Sequence, residues 1–95
     1  MPNYVLTYRL PATQEPSPDA MEAWGAFLGG LGEHLVDAGQ PAFSRSSIGD
    51  TGPGTVLCGY SMVTAPDLET ATTLAKGAPS INAGGGVEVG ELTPM

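Results

Sequence analysis

Hydrophobic residues alternate with polar ones at the start of the chain, and this period of two predicts a β-strand over residues 4–9. One face of the strand carries Tyr4, Leu6 and Tyr8, and the other carries Val5, Thr7 and Arg9. A second apolar run, residues 56–63, alternates in a similar way. Neither strand has a wholly polar face, which is typical of central strands in a sheet that is covered on both sides.

Helical spacing follows the first strand. Large apolar residues recur at intervals of three and four positions, which predicts a long helix from about Pro18 to Ala38 with one side on the sheet; they are Met21, Trp24, Leu28, Leu31 and Leu35. Ser17 is the expected N-cap, and Gly39 with Pro41 marks the end. A second helix is predicted from about Pro66 to Lys76.

Glycines line one flank of the predicted first helix. Gly25, Gly29 and Gly32 recur on one side, and Gly30 adds a fourth. Each costs about 0.8–1 kcal/mol relative to alanine inside a helix, so tertiary structure must offset the loss. The glycines allow either the close approach of another backbone, which is the favoured interpretation, or space for a ligand.

Two further segments have the polar or charged character of sheet edges. They are residues 43–48 and the last strand, which carries Glu88 and Glu91. The resulting order, βαββαβ, predicts one ferredoxin-like α+β domain over residues 1–95, with sheet order 4-1-3-2 and two helices on one face. The other face stays apolar, so we expect a second subunit to cover it in a homodimer of the dimeric α+β barrel type.

The net charge of the chain restricts the classes of molecule that it can bind. Ten acidic and three basic residues give a net charge of −7, which argues against binding to nucleic acid or to anionic membranes. We expect neither a signal peptide nor a membrane span, and a cytoplasmic location is the default. Cys58 is the only cysteine, so no intramolecular disulfide is possible.

Reactive side chains are few. His34 is a candidate acid or base beside Glu33 or Asp37, and its alternative role is that of a solvated surface residue. Cys58 is either a nucleophile or, as favoured, a buried structural thiol, since its own strand supplies no basic neighbour. One histidine and one cysteine 24 positions apart form no metal-binding pattern, so we predict neither a metal nor a cofactor.

Arg9 is the most interesting charge because it stands at the end of a central strand. It is a candidate to hold an anionic ligand, and the alternative is a salt bridge to Glu15 or Asp19. Tyr8, Trp24 and Tyr60 are candidates to line a cleft with Arg9, although aromatic residues at such positions are more often part of the core.

Several segments together resemble the YCII-related family. The resemblance is carried by residues 4–8, by Leu35-Val36-Asp37-Ala38-Gly39-Gln40-Pro41, by Gly59-Tyr60, by residues 75–79 and by Gly85-Gly86-Val87-Glu88-Val89. It covers nearly the whole chain and implies a dimeric α+β barrel with a small cleft between sheet and helices. It also implies a histidine–aspartate pair in one branch, but Arg9 stands where the histidine is expected, and His34 occupies neither of the family's positions.

Two functional classes remain open from the sequence. The first is a small protein that binds or transforms a small, anionic or aromatic metabolite without a cofactor. The second is a non-catalytic interaction or regulatory module that acts through homodimer assembly. The residues alone do not decide whether the protein is an enzyme.

Overall fold

The computed structural model describes residues 1–13, 18–52 and 54–94. It contains, in chain order, β1 (Asn3–Pro11), α1 (Pro18–Gly30), β2 (Leu35–Asp37), β3 (Thr55–Thr64), α2 (Leu68–Ala75), α3 (Pro79–Asn82) and β4 (Gly86–Glu91). A single 3-10 turn, Gly32–His34, joins α1 to β2. The predicted first, third and fourth strands and the second helix are confirmed, whereas the short helix α3 was not predicted.

The four strands form one antiparallel sheet in the order β2-β3-β1-β4. This small α+β arrangement is consistent with the predicted ferredoxin-like fold. β1 lies at the centre, where Tyr4 faces Val63 on one side and Glu91 on the other. The Tyr4 hydroxyl also donates a hydrogen bond of 3.2 Å to the Glu91 carboxylate, which ties β4 to the centre of the sheet.

The core lies between the sheet and the helices. Tyr4, Leu6 and Tyr8 alternate along β1 and are buried, as their spacing predicts. They pack with Leu31, Val63 and four alanines, Ala65, Ala71, Ala75 and Ala78. Each of the larger apolar side chains contributes about 1.5–3 kcal/mol through burial. Because the alanines are small, α2 and the start of α3 can approach the sheet closely.

The first helix is shorter than the sequence pattern predicts. It ends at Gly30 instead of Ala38, and Gly32 follows with φ +56°, a left-handed conformation that ends helices and that glycine adopts without steric cost. Leu35 therefore belongs to β2, where it pairs with Val63, and not to the helical stripe. The expected N-cap, Ser17, lies outside the described residues.

The predicted edge strand at residues 43–48 is also wrong. These residues belong to an exposed loop, and the edge of the sheet is formed by β2. The chain reaches its second strand, β2, earlier than expected because α1 ends at Gly30 and not at Ala38. After β2, only an isolated bridge between Pro41 and Gly59 continues the pairing.

The second helix follows its sequence signals closely. Asp67 is the N-cap, and its carboxylate accepts a hydrogen bond of 2.7 Å from the Thr70 amide. Hydrogen bonding with the Thr70 side chain, and then with its amide, lowers the pKa of Asp67. In the described part of the chain, no helix has the length and apolar character that a membrane span requires.

The glycines of the chain fall into two groups that differ in their surroundings. At Gly25 and Gly29 of α1, an added Cβ would meet no atom within 4 Å, so the predicted close approach is not found within the described subunit. At Gly39, φ is +75° and an added Cβ would overlap the Tyr60 carbonyl oxygen. Gly39 is therefore required by the fold, whereas Gly25 and Gly29 are not required by any described contact.

Substituting alanine at the two kinds of glycine should change stability in opposite directions. We expect Gly39→Ala to lower the free energy of unfolding by about 2 kcal/mol or more, because the backbone is left-handed and the Tyr60 carbonyl must move. Gly25→Ala should raise it by about 0.8–1 kcal/mol through helix propensity. Urea unfolding followed by circular dichroism measures both, and equal effects would contradict the placement of these glycines.

Candidate functional site

The regular pairing of β1 with β3 is interrupted beside Tyr8. Tyr8 lies opposite Gly59 and Arg9 lies opposite Leu57, so Cys58 has no pairing partner in β1. This is a β-bulge, a feature that re-aims side chains and is frequent beside functional sites. The loop after β2 crosses the bulge so closely that a Cβ on Gly59 would lie 3.0 Å from the Gln40 carbonyl oxygen. The bulge is the centre of the candidate site.

Cys58, at the bulge, is half-buried and packs against the core. Burial raises the pKa of its thiol above the ordinary value of 9.0, and the positive charges of Arg45 and Arg9 oppose the rise without cancelling it. The thiol is therefore protonated at neutral pH and is not an activated nucleophile. The preference for a structural thiol over a nucleophile agrees with this environment.

The two arginines near Cys58 come from distant parts of the sequence. Arg9 belongs to β1 and Arg45 to the loop between β2 and β3. The sequence identifies Arg9 as a candidate site residue but not as a neighbour of Cys58, and it gives no signal for Arg45, because neither arginine lies in the strand that carries Cys58. The pairing of Arg9 with Leu57 could have been anticipated from an antiparallel β1–β3 pair, but the position of Arg45 depends on the path of the loop.

Arg9 is held in place by neutral acceptors. Its Nε donates to Thr55 Oγ1 at 2.9 Å, and its Nη2 donates to the carbonyl oxygens of Thr51 at 3.0 Å and Thr55 at 2.9 Å. Among the described residues, Arg9 has no acidic partner, and its Nη1 makes no hydrogen bond. Of the predicted salt-bridge partners, Glu15 and the side chain of Asp19 lie outside the described residues.

Arg45 is less constrained. It is exposed, and its Nη1 donates a hydrogen bond of 2.7 Å to the Ala42 carbonyl oxygen three residues earlier in the loop. Its Nε and Nη2 make no hydrogen bond with the described residues. A planar guanidinium with free donors is suited to the recognition of a carboxylate or phosphate.

Tyr8 belongs to an aromatic cluster on the helix side of the sheet. Its ring lies 4.5 Å from that of Trp24 and 6.2 Å from that of Phe27, in both cases edge to face. Its hydroxyl is buried and has no hydrogen-bond partner among the described residues. Burial raises the pKa of Tyr8, while the nearby Ser61 hydroxyl acts in the opposite direction.

The four residues predicted to bind a ligand fall on opposite faces of the sheet. Tyr8 and Trp24 lie on the helix side, where Phe27 joins them. Arg9 alternates with Tyr8 and so points to the face without helices, where Tyr60 pairs with Thr7 and is 39% exposed. The structure thus brings the four together in two pairs, separated by the sheet. Ligand binding by either pair stays a prediction.

His34 lies far from the bulge. Its Nδ1 is 2.9 Å from the carbonyl oxygen of Thr64, the last residue of β3, and must carry the proton in this contact because the carbonyl only accepts. The Asp37 carboxylate accepts a hydrogen bond of 2.8 Å from the Gly39 amide. No group of three or more histidine, cysteine or acidic side chains within the described ranges could hold a metal ion.

A shallow groove of about 890 Å³ runs between the helices. Small residues form much of its lining, including Ala20, Ala23 and Gly30 from α1 and Gly77, Pro79 and Ala83 from the region of α2 and α3. Phe27 reaches it, but none of the four predicted ligand-binding residues does. The groove and the bulge are therefore separate features of the molecule.

No protein-family model matches this chain, and no curated protein matches it.

The buried thiol and phenol should make the protein sensitive to alkaline pH. The pKa values of Cys58 and Tyr8 are raised above 9.0 and 10.0, so the folded chain holds these protons more tightly than the unfolded chain does. The free energy of unfolding should therefore fall as the pH rises above about 9. Urea unfolding between about pH 7 and pH 10.5 measures the slope, which Cys58→Ala combined with Tyr8→Phe should reduce. An unchanged slope in the double variant would contradict this origin.

Proposed function

We propose that the protein binds a small anionic metabolite, without a cofactor, at Arg9 and Arg45 beside Cys58. The observation that carries this proposal is that two of the three basic residues of the chain lie near one bulge: Arg9 pairs with Leu57, and Arg45 is hydrogen-bonded to Ala42, whose amide donates to the Cys58 carbonyl oxygen. The other charges are mainly acidic and give a net charge of −7, so the bulge is where an anion meets the least repulsion. The resemblance to YCII-related proteins agrees with a small-molecule ligand.

The face on which Arg9 lies also offers an aromatic contact. Tyr60 lies opposite Thr7, two residues from Arg9 on the same side of the sheet, and Leu57 lies directly opposite Arg9. Both side chains are partly exposed, at 39% and 41%. An anion with an aromatic ring can therefore pair its charge with a guanidinium and place its ring against Tyr60 or Leu57.

Binding is favoured over catalysis. The Cys58 thiol is protonated at neutral pH because its pKa is raised, and His34 lies at the other end of β3. Neither of the sequence's two candidates for chemistry is thus paired with an activating group at the bulge. We assign no catalytic residue, and the proposed role of the site is to bind an anion.

Removing one positive charge at a time should test the anion site. Benzoate is a suitable probe, and benzyl alcohol is its neutral counterpart. We expect Arg45→Gln to weaken benzoate binding by about tenfold or more, since a charge-assisted hydrogen bond contributes about 1.5–3 kcal/mol. Lys76→Gln removes the same charge from the end of α2 and should leave affinity within about twofold.

Isothermal titration calorimetry or NMR chemical-shift mapping measures both affinities. Arg9→Gln is a second site variant, but it also removes bonds that hold Thr51 and Thr55, so Arg45→Gln is the cleaner change. If both variants lost the same benzoate affinity, the loss would come from the overall charge of the protein, and the proposed site would be overturned. Equal binding of benzoate and benzyl alcohol would do the same.

The second candidate function, assembly through a homodimer, has its own observation. The helices cover one face of the sheet, and the other face carries Leu57 and Tyr60 partly exposed beside the half-buried Val5 and Met62. We call this surface the open face. Exposed apolar residues that line up on a sheet are typical of an interaction surface. The same face on a second copy is the simplest cover, and it would produce the barrel-like arrangement of a dimeric α+β barrel.

A charge placed on the open face should dissociate the proposed dimer. We expect the wild-type chain to sediment at about twice its mass of 9.6 kDa at micromolar concentration. Leu57→Glu should give a folded monomer, because the buried charge would occur twice in a two-fold interface. Leu68→Glu, on the 50% exposed Leu68 of α2, is the matched control and should stay dimeric. A monomeric wild-type protein with native circular dichroism would refute the assembly.

A further inference from the structure

An exposed loop segment extends from the end of the sheet that contains the bulge. It consists of residues 43–50, which we call the arm, and all eight of its residues are exposed. Two of them are large and apolar: Phe43 is 71% exposed and Ile48 is 90% exposed. The subunit itself provides no cover for these side chains, although each would gain about 1.5–3 kcal/mol from burial.

Hydrogen bonds fix both ends of the arm. Before it, the Ala42 amide donates to the Cys58 carbonyl oxygen at 3.0 Å, next to the bridge between Pro41 and Gly59. After it, the Thr51 carbonyl oxygen accepts from Arg9 Nη2 at 3.0 Å. The arm is thus a loop whose two ends are held by hydrogen bonds.

The second anchor places the arm on a particular side of the molecule. Arg9 points to the open face, because it alternates with the buried Tyr8 along β1. Since its guanidinium reaches Thr51, the arm ends beside the open face, near Leu57. The apolar surface of the open face and that of the arm therefore belong to the same end of the subunit.

The area of the open face can be compared with the area that a stable dimer interface buries. The strands have nine, three, ten and six residues, and at about 3.3 Å by 4.8 Å a residue they present roughly 450 Å². A stable dimer of standard size buries about 800 Å² on each partner. The flat area of the open face is smaller than this, and the exposed side chains of Phe43 and Ile48 extend the apolar surface beyond the sheet.

We infer that the arm packs against a second copy of this chain and completes the interface that begins at the open face. In this arrangement, Phe43 and Ile48 of each protomer cover apolar surface of the other, and the two-fold symmetry makes every arm contact occur twice. The inference rests on the homodimer proposed above and deepens it by assigning the arm as the segment that extends the sheet contact to the size of a stable interface.

The test compares the dissociation constant of the dimer in three proteins. The arm variant carries Phe43→Ser and Ile48→Ser, neither of which lies in the sheet or core. We expect its dimer to dissociate about 100-fold more readily than wild type, since two anchors are lost on each protomer. Leu68→Ser is the matched control for loss of an exposed apolar residue on the helix side, and its constant should stay within about twofold. Sedimentation velocity over a dilution series measures all three.

The outcomes separate this inference from the dimer on which it rests. If the arm variant dimerises as tightly as wild type while Leu57→Glu is monomeric, the open-face dimer stands and the role of the arm is refuted. If the wild-type chain is itself a folded monomer, both are refuted. Circular dichroism of the arm variant checks that its fold is retained, and a single variant, Ile48→Ser, provides a smaller change with an expected loss of about tenfold.

Discussion

The structure depends on how β1 is buried. It pairs over nine residues with β3 and over six with β4, and its inward side chains, Tyr4, Leu6 and Tyr8, all belong to the core. α2 and the start of α3 pack alanines against these residues, whereas α1 packs the larger Trp24 and Phe27. The helices that the structure describes leave the other face of the sheet uncovered. The open face is thus a consequence of how this small chain fills its core.

The bulge in β3 has an equally local cause and wider consequences. Gly59 allows the Gln40 carbonyl to approach closely, and the extra residue that results, Cys58, is displaced from the ladder. The same region gathers Arg9 from β1 and Arg45 from the crossing loop. The two arginines, the bulge in β3 and the loop after β2 therefore form one structural unit. This is why the proposed anion site and an edge of the proposed interface lie at the same end of the molecule.

These two features make different demands on the chain. An anion site needs guanidinium donors that stay accessible, while an interface needs apolar side chains that become covered. Arg9 contributes to both, because it holds the end of the arm through Thr51 and keeps Nη1 unbonded to the described residues.

The sequence alone determined β1, β3, β4 and the second helix, because their signals are short-range. Alternation identifies the buried face of β1, and Asp67 marks the start of α2 by a hydrogen bond to an amide three residues away. The end of the first helix was misjudged, since the period of Leu28, Leu31 and Leu35 continues across Gly32. The hydrophobic pattern shows which residues are apolar, but it does not predict the left-handed backbone conformation of Gly32.

Only the tertiary structure decided which candidate residues meet. Tyr8 and Arg9 are neighbours in sequence, yet they lie on opposite faces of the sheet. Trp24 lies on the face of Tyr8, and Tyr60 lies on the face of Arg9. Arg45 approaches Cys58 although 13 positions separate them. Such contacts depend on strand register and on the path of a loop. Both are set by packing across the whole chain and not by the residues next to each position in the sequence.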